Sequence, residues 1–243
     1  MIELFAVALF LPLFPLSIVL NGLLSRLKTP WARFMILLLW PQIGVLVLHA
    51  VGQPVQEGFV AWALLSSAFY ALRLLTVRDL GLWAGFLASS ALALAWVDYG
   101  DNALAMHILV FWLSLPSALL ALLAGSLVKR FGAAYAGLHG SLAGSVPRLS
   151  ALLVIALLAA IATPPFPGFF AILGLLHMTS ASPAILFIWL LWGWAAVKLV
   201  QGFLSGENRL DSVEDIGRGN TLLFTFVFGA MVFTGLFLTR GVL

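Results

Sequence analysis

Two apolar segments, near 148–163 and 165–180, are separated by the stretch Thr163-Pro164-Pro165-Phe166-Pro167-Gly168. Proline has no backbone N–H to donate, and its ring clashes with the preceding helical turn. Three prolines within four residues therefore cannot lie inside a regular helix. The chain must leave its helix near 163–168, either in a tight turn between two helices or at a break within one interrupted helix.

Seven further apolar stretches lie before and after this break in the sequence. A helix that crosses a bilayer needs about 20 mostly apolar residues, and such stretches lie near 3–25, 31–51, 58–75, 78–97, 103–128, 183–204 and 219–240. The sequence thus predicts nine membrane spans, or eight if the halves around the prolines form one interrupted span. The first stretch is predicted to be a retained helix containing Pro12 and Pro15, because its basic residues follow the apolar run, whereas those of a cleaved signal precede it.

The composition of the 243 residues indicates a membrane protein. Hydrophobic residues make up 63% and charged residues 9%, against about 45–50% and about 25% in soluble globular proteins. Twelve basic and nine acidic side chains cannot cover the surface of a soluble protein of this size. We therefore predict one all-α membrane domain over 1–243, a polytopic integral membrane helix bundle. The absence of cysteine excludes disulfides and thiolate metal sites.

The distribution of charges predicts an orientation. Basic residues cluster in alternate loops, at 26–33, 73–78 and 129–148, while the intervening loops carry Glu57 or Asp98 and Asp101. Because basic loops stay on the cytoplasmic side, the N-terminus is predicted to lie outside, in a bacterial inner membrane. Nine spans would place Arg240 inside. The net charge of +3 fits this loop pattern, and without a basic stripe nucleic-acid binding is not expected.

Few residues could carry chemistry inside the membrane. A charge at the bilayer centre costs roughly 2.5–3.5 kcal/mol on insertion scales, so such residues usually mark ion or proton paths. Lys198 lies well inside an apolar run, although it could also extend its ammonium to the interface. His107 could relay protons or simply hold a local polar partner. No spacing fits a metal site, a nucleophilic triad or a cofactor, so no catalytic residue, metal or cofactor is predicted.

The most specific motif is Leu-Leu-Ala-Ala-Ile-Ala-Thr-Pro-Pro-Phe-Pro-Gly-Phe at 157–169, followed by a predicted helix that contains Lys198. Weaker motifs lie at 119–130, at 137–147, and at Arg78-Asp79-Leu80. Together they resemble the proton-translocating antiporter-like membrane subunits of respiratory complex I, Mrp-type antiporters and membrane-bound hydrogenases. The resemblance covers about 78–204 and leaves 1–77 as N-terminal helices. It implies a fold with a discontinuous helix at Pro164, Pro165, Gly168 and Phe169.

The chain departs from this family at the positions that matter for proton transfer. Family members have about fourteen helices in two inverted repeats, so this chain resembles a shortened member. The family's charged membrane residues fall on Ala88, within 113–117, and on Ile172, where this sequence has no ionisable side chain. The remaining candidates for a proton or ion path are His107, Lys198, Asp79 and Ser117.

Three functions remain open from the sequence. The first is a membrane subunit of a multi-subunit ion- or proton-coupled complex, either a scaffold or a subunit with a degenerate proton path. Its partners would be lipid, larger membrane subunits and peripheral subunits of an oxidoreductase. The second is the membrane partner in an energy-coupled inorganic-carbon uptake complex. The third is a small independent transporter, with the broken helix at Pro164–Gly168 as its site.

Overall fold

The computed structural model describes residues 2–52, 56–97, 103–138, 141–205 and 213–239. Every regular element in these ranges is helical, as the sequence predicts. The helices are α1 (Ile2–Phe10), α2 (Ile18–Arg26), α3 (Pro30–Val51), α4 (Glu57–Leu74), α5 (Leu80–Ala93), α6 (Ala103–Phe131), α7 (Leu142–Ser145), α8 (Pro147–Ala160), α9 (Pro167–Met178), α10 (Ser182–Leu204) and α11 (Arg218–Thr239). A 3₁₀ turn at Leu94–Trp96 extends α5.

The length and surface of the helices identify an integral membrane protein. Four helices, α3, α6, α10 and α11, are long and apolar enough to cross a bilayer, and shorter apolar helices lie at 80–96, 147–160 and 167–177. Large apolar side chains face outward on the long helices, such as Leu190 with 73% and Phe226 with 75% of its surface exposed. Contiguous apolar surface of this extent is rare on monomeric soluble proteins, and lipid chains are its natural environment.

The first predicted span differs from the expectation. Instead of one helix near 3–25, α1 ends at Phe10 and α2 begins at Ile18, with seven non-helical residues between them. The prediction of a single helix containing Pro12 and Pro15 is therefore wrong. The physical reason for the break is that Pro12 and Pro15, one turn apart, have no N–H to donate. The helical pattern resumes where the N–H of Ser17 donates to the carbonyl of Leu13 (2.8 Å).

Helix α6 forms the centre of the bundle and packs against α3, α5 and α8. Small residues allow close approach at two of the surrounding contacts. A side chain at Gly125 would overlap the ring of Pro30 at the start of α3, and one at Gly44 of α3 would meet Leu11 after α1. The observed helices thus lie nearer to one another than larger residues would permit.

One end of the bundle gathers the basic segments and is called the basic end below. The N–H of Leu80 donates to the carbonyl of Ala134 (3.0 Å), which joins the start of α5 to the segment after α6. The N–H of Gly137 donates to Gly202 near the end of α10 (2.7 Å). The first bond places the predicted basic loop at 73–78 beside the segment after α6, and the second adds the end of α10.

A second set of bonds adds α8 and α11 to the basic end. The carboxylate of Asp215 accepts hydrogen bonds from the backbone N–H groups of Arg148 (2.8 Å) and Leu149 (3.2 Å) at the start of α8. Arg130 at the end of α6 donates to the carbonyls of Glu214 (3.0 Å) and Asp215 (3.3 Å). The starts of α8 and α11 therefore lie together, on the same side as the end of α6.

Candidate functional site

The chain leaves its helix between Ala160 and Pro167, where the proline cluster predicts a break. Three carbonyls at and just after the end of α8 have partners outside the regular helical pattern. Leu158 accepts from the Thr163 hydroxyl (2.9 Å), Ala159 accepts from the N–H of Ala162 (3.2 Å), and Ile161 accepts from the indole Nε1 of Trp189 on α10 (2.8 Å). Buried carbonyls without partners are costly, and here side chains and a local turn satisfy these three.

Trp189 and α11 fix the far side of the same break. The ring of Phe169 in the first turn of α9 packs on the ring of Trp189, with centroids 5.7 Å apart. Helix α11 passes so close that a side chain at Gly235 would overlap the carbonyl of Pro165. Because Trp189 contacts Ile161 before the prolines and Phe169 after them, both sides of the break lie against α10.

Tryptophans also satisfy the first break, between α1 and α2. Three indole groups on three different elements donate to its carbonyls: Trp40 of α3 to Leu9 (3.1 Å), Trp62 of α4 to Phe14 (2.5 Å), and Trp96 of the 3₁₀ turn to Leu11 (3.1 Å). The sequence predicts anchoring and packing roles for the nine tryptophans, most of which lie near predicted span ends. The structure gives several of them a further role, the pairing of carbonyls that the interrupted helices leave open.

Between the breaks lies a layer of polar side chains that hydrogen-bond across four helices. We call it the buried polar layer and define it by seven residues from α1–α2, α4, α5 and α10: Ser17, Asn21, Ser67, Tyr70, Ser89, Ser90 and Trp192. The Asn21 amide donates to the Ser89 hydroxyl (3.0 Å), and the hydroxyls of Ser67 and Ser90 lie 3.1 Å apart. Trp192 donates to Ser90 (2.8 Å), and Ser17 bonds to the Tyr70 hydroxyl.

The buried polar layer lies about 9 to 15 Å from the basic end, measured along its helices. Asn21 precedes Leu27, at the basic end, by six residues, which corresponds to about 9 Å of helix at about 1.5 Å per residue. Trp192 precedes Gly202 by ten residues, or about 15 Å on the same rise. The hydrocarbon core of a bilayer is about 30 Å thick, so these groups lie well inside it.

The chemistry of the described interior is that of neutral hydrogen-bonding groups. The buried polar residues of the described ranges are serines, and no Asp, Glu, Lys, Arg or His among them is buried. Ala88 and Ile172, on which the family's charged positions fall, are both fully buried apolar side chains. The layer can therefore orient water or stabilise a dipole, but it has no buried carboxylate, ammonium or imidazole to take up a proton.

The four predicted path residues lie in separate places. His107 of α6 is half-buried, and its Nδ1 lies 2.7 Å from the side-chain oxygen of Gln42 on α3. Lys198 is exposed, and its ammonium donates to the carbonyl of Leu75 at the basic end (3.2 Å). This is the interfacial position that long basic side chains favour.

The other two predicted residues have different environments. Asp79 caps α5, its carboxylate accepting from the N–H of Leu82 (2.7 Å). The hydroxyl of Ser117 is buried in α6 without a hydrogen-bond partner in the described residues. His107 and Ser117 are ten residues, or about 15 Å, apart on α6. The structure does not bring the four together, and none belongs to the buried polar layer.

Sequence reasoning missed the buried polar layer. The available signals were the paired serines Ser66-Ser67 and Ser89-Ser90 and the isolated polar residues Asn21 and Tyr70, all within apolar runs. Each is weak alone, because single hydroxyls are common in membrane helices and can bond to their own backbone. One serine of each pair, Ser67 and Ser90, contacts the other only because α4 packs against α5.

No protein-family model and no curated protein matches this sequence, whereas solved structures match its fold. A chain of respiratory complex I from Thermus thermophilus aligns with a TM-score of 0.73 over 96% of this chain at 23% identity. The Mrp complex from Dietzia sp. DQ12-45-1b gives 0.71 over 86% at 19%, and the membrane-bound sulfane sulfur reductase, an archaeal respiratory membrane complex, gives 0.81 over 96% at 15%. This chain has the antiporter-like fold.

The antiporter-like fold extends beyond the region in which the sequence motifs occur. The motifs cover about 78–204, whereas the alignment with the complex I chain covers 96% of the residues. The chain spans about half the length of these structures, 53%, 42% and 51% respectively. At these identities the likeness concerns the fold alone.

Proposed function

We propose that this protein is a membrane subunit of a multi-subunit, ion- or proton-coupled complex, and that it acts as a scaffold rather than as an independent pump. One observation carries this proposal: no Asp, Glu, Lys, Arg or His of the described residues is buried as a whole side chain. Proton relays through membranes use chains of such groups. A bundle that retains the fold but has hydroxyls, an amide and indoles at its centre lacks the groups that would load and release protons.

The similar structures support the choice of a complex. All three are multi-subunit assemblies according to their names, and two are respiratory. A chain of about half their length has fewer helices with which to form a path of its own. Larger membrane subunits are its expected partners, and peripheral subunits of an oxidoreductase are expected to bind the assembly rather than this chain alone.

The proposed topology has eight spans in a bacterial inner membrane. Helices α1–α2 and α8–α9 each form one interrupted span, since α8 and α11 start together and Trp189 contacts both sides of the second break. The basic end faces the cytoplasm by the positive-inside rule. The start of α1 and the end of α11 then both lie outside, in contrast to the inside location of Arg240 that nine spans would give.

Independent transport through the second break has less support. Half-helix ends can coordinate ions when their backbone groups are open, but Trp189, Thr163 and the turn itself already occupy three carbonyls at this helix end, those of Ile161, Leu158 and Ala159. If a residual path exists, we propose that His107 and Lys198 mark its ends and that Ser117 and Asp79 lie along it. Inorganic-carbon uptake requires the same scaffold with a different, carbonic-anhydrase-like partner.

Purification from the native host tests the assembly. A tagged chain extracted in a mild detergent should migrate with larger membrane proteins on a native gel, and mass spectrometry of that band should identify them. Redox subunits would indicate a respiratory or hydrogenase-type complex, and a carbonic-anhydrase-like protein would indicate carbon uptake. A stable solitary monomer from cells that express the whole gene neighbourhood would contradict the proposal.

Reconstitution tests the scaffold role. The purified chain alone, in liposomes with an internal pH dye and a valinomycin-imposed potassium potential, should conduct protons no faster than protein-free liposomes. A complete antiporter, reconstituted in parallel, is the positive control. Proton flux above the protein-free rate that is lost in His107→Ala, with Lys198→Gln as a second variant, would instead favour a working path.

A further inference from the structure

Helix α11 encloses a groove with α3 and α6. It packs mainly on α8 and α9 rather than on α3 or α6, and a cavity of about 330 Å³ lies between α3, α6 and α11. Its walls are mostly apolar and include Phe34 of α3, Leu119 and Leu122 of α6, and Leu223 and Val227 of α11. Because these helices all begin or end at the basic end, the groove opens there.

A polar cavity continues the groove beyond the basic end. It has a volume of about 420 Å³ and is lined by residues 126, 129, 130, 213–217 and 220. Four of these also line the apolar groove: Ser126, Lys129, Ile216 and Asn220. A hydroxyl, an ammonium and an amide thus stand at the junction between an apolar and a polar space. This is an amphipathic site, in which one ligand could place a hydrocarbon chain on one side and a polar group on the other.

The charges at the junction suit a phosphate. Lys129 is exposed, and no carboxylate of the described residues pairs with its ammonium. Asp215 lines the polar cavity, but its carboxylate accepts from the backbone N–H groups of Arg148 and Leu149. Glu214 also lines the polar cavity and is exposed, so the polar cavity offers a cation for a phosphate and an acid for an ammonium.

The length of the groove matches half of a bilayer. Leu119 and Lys129 lie ten residues apart on α6, a distance of about 15 Å along the helix. The hydrocarbon core is about 30 Å thick, so one leaflet contributes about 15 Å. Trp31 lines the groove near its opening and is 61% exposed, the placement expected of an aromatic side chain at the headgroup level.

We propose that the groove between α3, α6 and α11 is a specific site for one phospholipid with an amine headgroup, of the phosphatidylethanolamine type. One acyl chain lies between Leu119 and Val227, and Lys129, Ser126 and Asn220 bind the phosphate. The headgroup ammonium lies toward Glu214. The bound lipid fills the space that α11 leaves beside α6 and so supports the last helix of the bundle.

Native mass spectrometry of the full chain, purified in detergent, tests this site. The probes are palmitoyl-oleoyl phosphatidylethanolamine, the corresponding phosphatidylglycerol, and the diacylglycerol with the same acyl chains. We expect phosphatidylethanolamine to bind most tightly. Lys129→Gln should weaken its binding about tenfold, since hydrogen bonds to charged groups carry roughly that much affinity. Diacylglycerol, which lacks the phosphate, should lose a similar factor.

Lys198→Gln is the matched control, because Lys198 is an exposed lysine at the same end of the bundle that does not line the groove. Its lipid binding should equal that of the wild type. Equal loss in both lysine variants, equal binding of diacylglycerol, or a preference for phosphatidylglycerol would overturn the assignment. The comparison requires that both variants have the elution volume and the melting midpoint of the wild-type protein.

A photo-crosslinking phospholipid with a diazirine in its acyl chain provides a test that needs no variant. In membranes that contain the assembled complex, crosslinked peptides should concentrate at 119–126 and 222–227. Labelling spread equally over the exposed face of α10 at 186–197 would show only bulk lipid. Protection of the groove by a polypeptide of a partner subunit would likewise overturn the proposal.

Discussion

Trp96 and Trp83 are both fully buried, and they differ in whether the indole N–H has a partner. Trp96 donates to the carbonyl of Leu11 at the first helix break (3.1 Å), whereas Trp83 Nε1 has no hydrogen-bond partner in the described residues. Substitution of either residue by phenylalanine removes a similar volume of ring. The pair Trp96→Phe and Trp83→Phe therefore separates the hydrogen bond from the packing.

The expected magnitude follows from the two environments. Both variants lose the same ring atoms, so the cost of the resulting cavity largely cancels in the difference. Trp96→Phe also leaves a buried carbonyl unpaired, which costs about 1–3 kcal/mol, although hydrogen bonds measured in a membrane protein average about 0.6 kcal/mol. Trp83→Phe removes an unsatisfied donor. We therefore expect Trp96→Phe to lower the unfolding free energy by about 0.6–3 kcal/mol more than Trp83→Phe.

The assay is reversible unfolding by sodium dodecyl sulfate in mixed micelles, followed by far-ultraviolet circular dichroism. The unfolding free energies of the wild type and of both variants are compared at the same detergent mole fraction. If the two variants are equally destabilised, or if Trp83→Phe has the lower unfolding free energy, then the indole of Trp96 does not stabilise the break. The proposed role of the tryptophans would then fail at the position where it is most clearly isolated.

Three further changes have defined outcomes. In Gly235→Ala the new methyl group would overlap the carbonyl of Pro165, which should lower the melting midpoint and the unfolding free energy, the latter by about 1–3 kcal/mol. Gly229→Ala, with open space around the position, should leave the midpoint unchanged. Equal midpoints of the two variants would contradict the contact. Asp79→Ala removes the cap of α5 and should cost about 1 kcal/mol in the same unfolding assay, and Asp79→Asn should restore most of it. Lys198→Gln should change the unfolding free energy by less than about 1 kcal/mol, because the side chain is exposed; a larger loss would show that its bond at the basic end is buried in the membrane.

Apolar length and proline position made most of the helices predictable. The stretch predicted near 31–51 is α3 at Pro30–Val51, and that near 183–204 is α10 at Ser182–Leu204. The break near 163–168 follows from three closely spaced prolines. The first break was not predictable from Pro12 and Pro15, which are three residues apart. Prolines occur inside membrane helices when neighbouring groups pair with the freed carbonyls, and Pro41 lies inside α3 in this way.

The candidate site was much less predictable than the helices. The charged residues that draw attention in an apolar sequence, such as Lys198 and Asp79, are exposed at the basic end or cap a helix. The groups that meet at the centre are serines, and a serine in an apolar run has no signal that separates a self-bonded hydroxyl from one that contacts a neighbouring helix. Knowledge that Ser67 and Ser90 face each other requires the packing of α4 on α5, which hydropathy does not encode.

The three indole bonds at the first break also determine how the bundle would respond to force. A helix break with open carbonyls can act as a hinge, because its two halves rotate without losing any bond. Here the carbonyls of Leu9, Leu11 and Phe14 are held by side chains of α3, of the turn after α5 and of α4. Rotation at this joint would break contacts to three neighbours at once. The break is therefore held by three neighbouring elements, and we expect a displacement of one of these helices to move the others rather than to be absorbed at the joint.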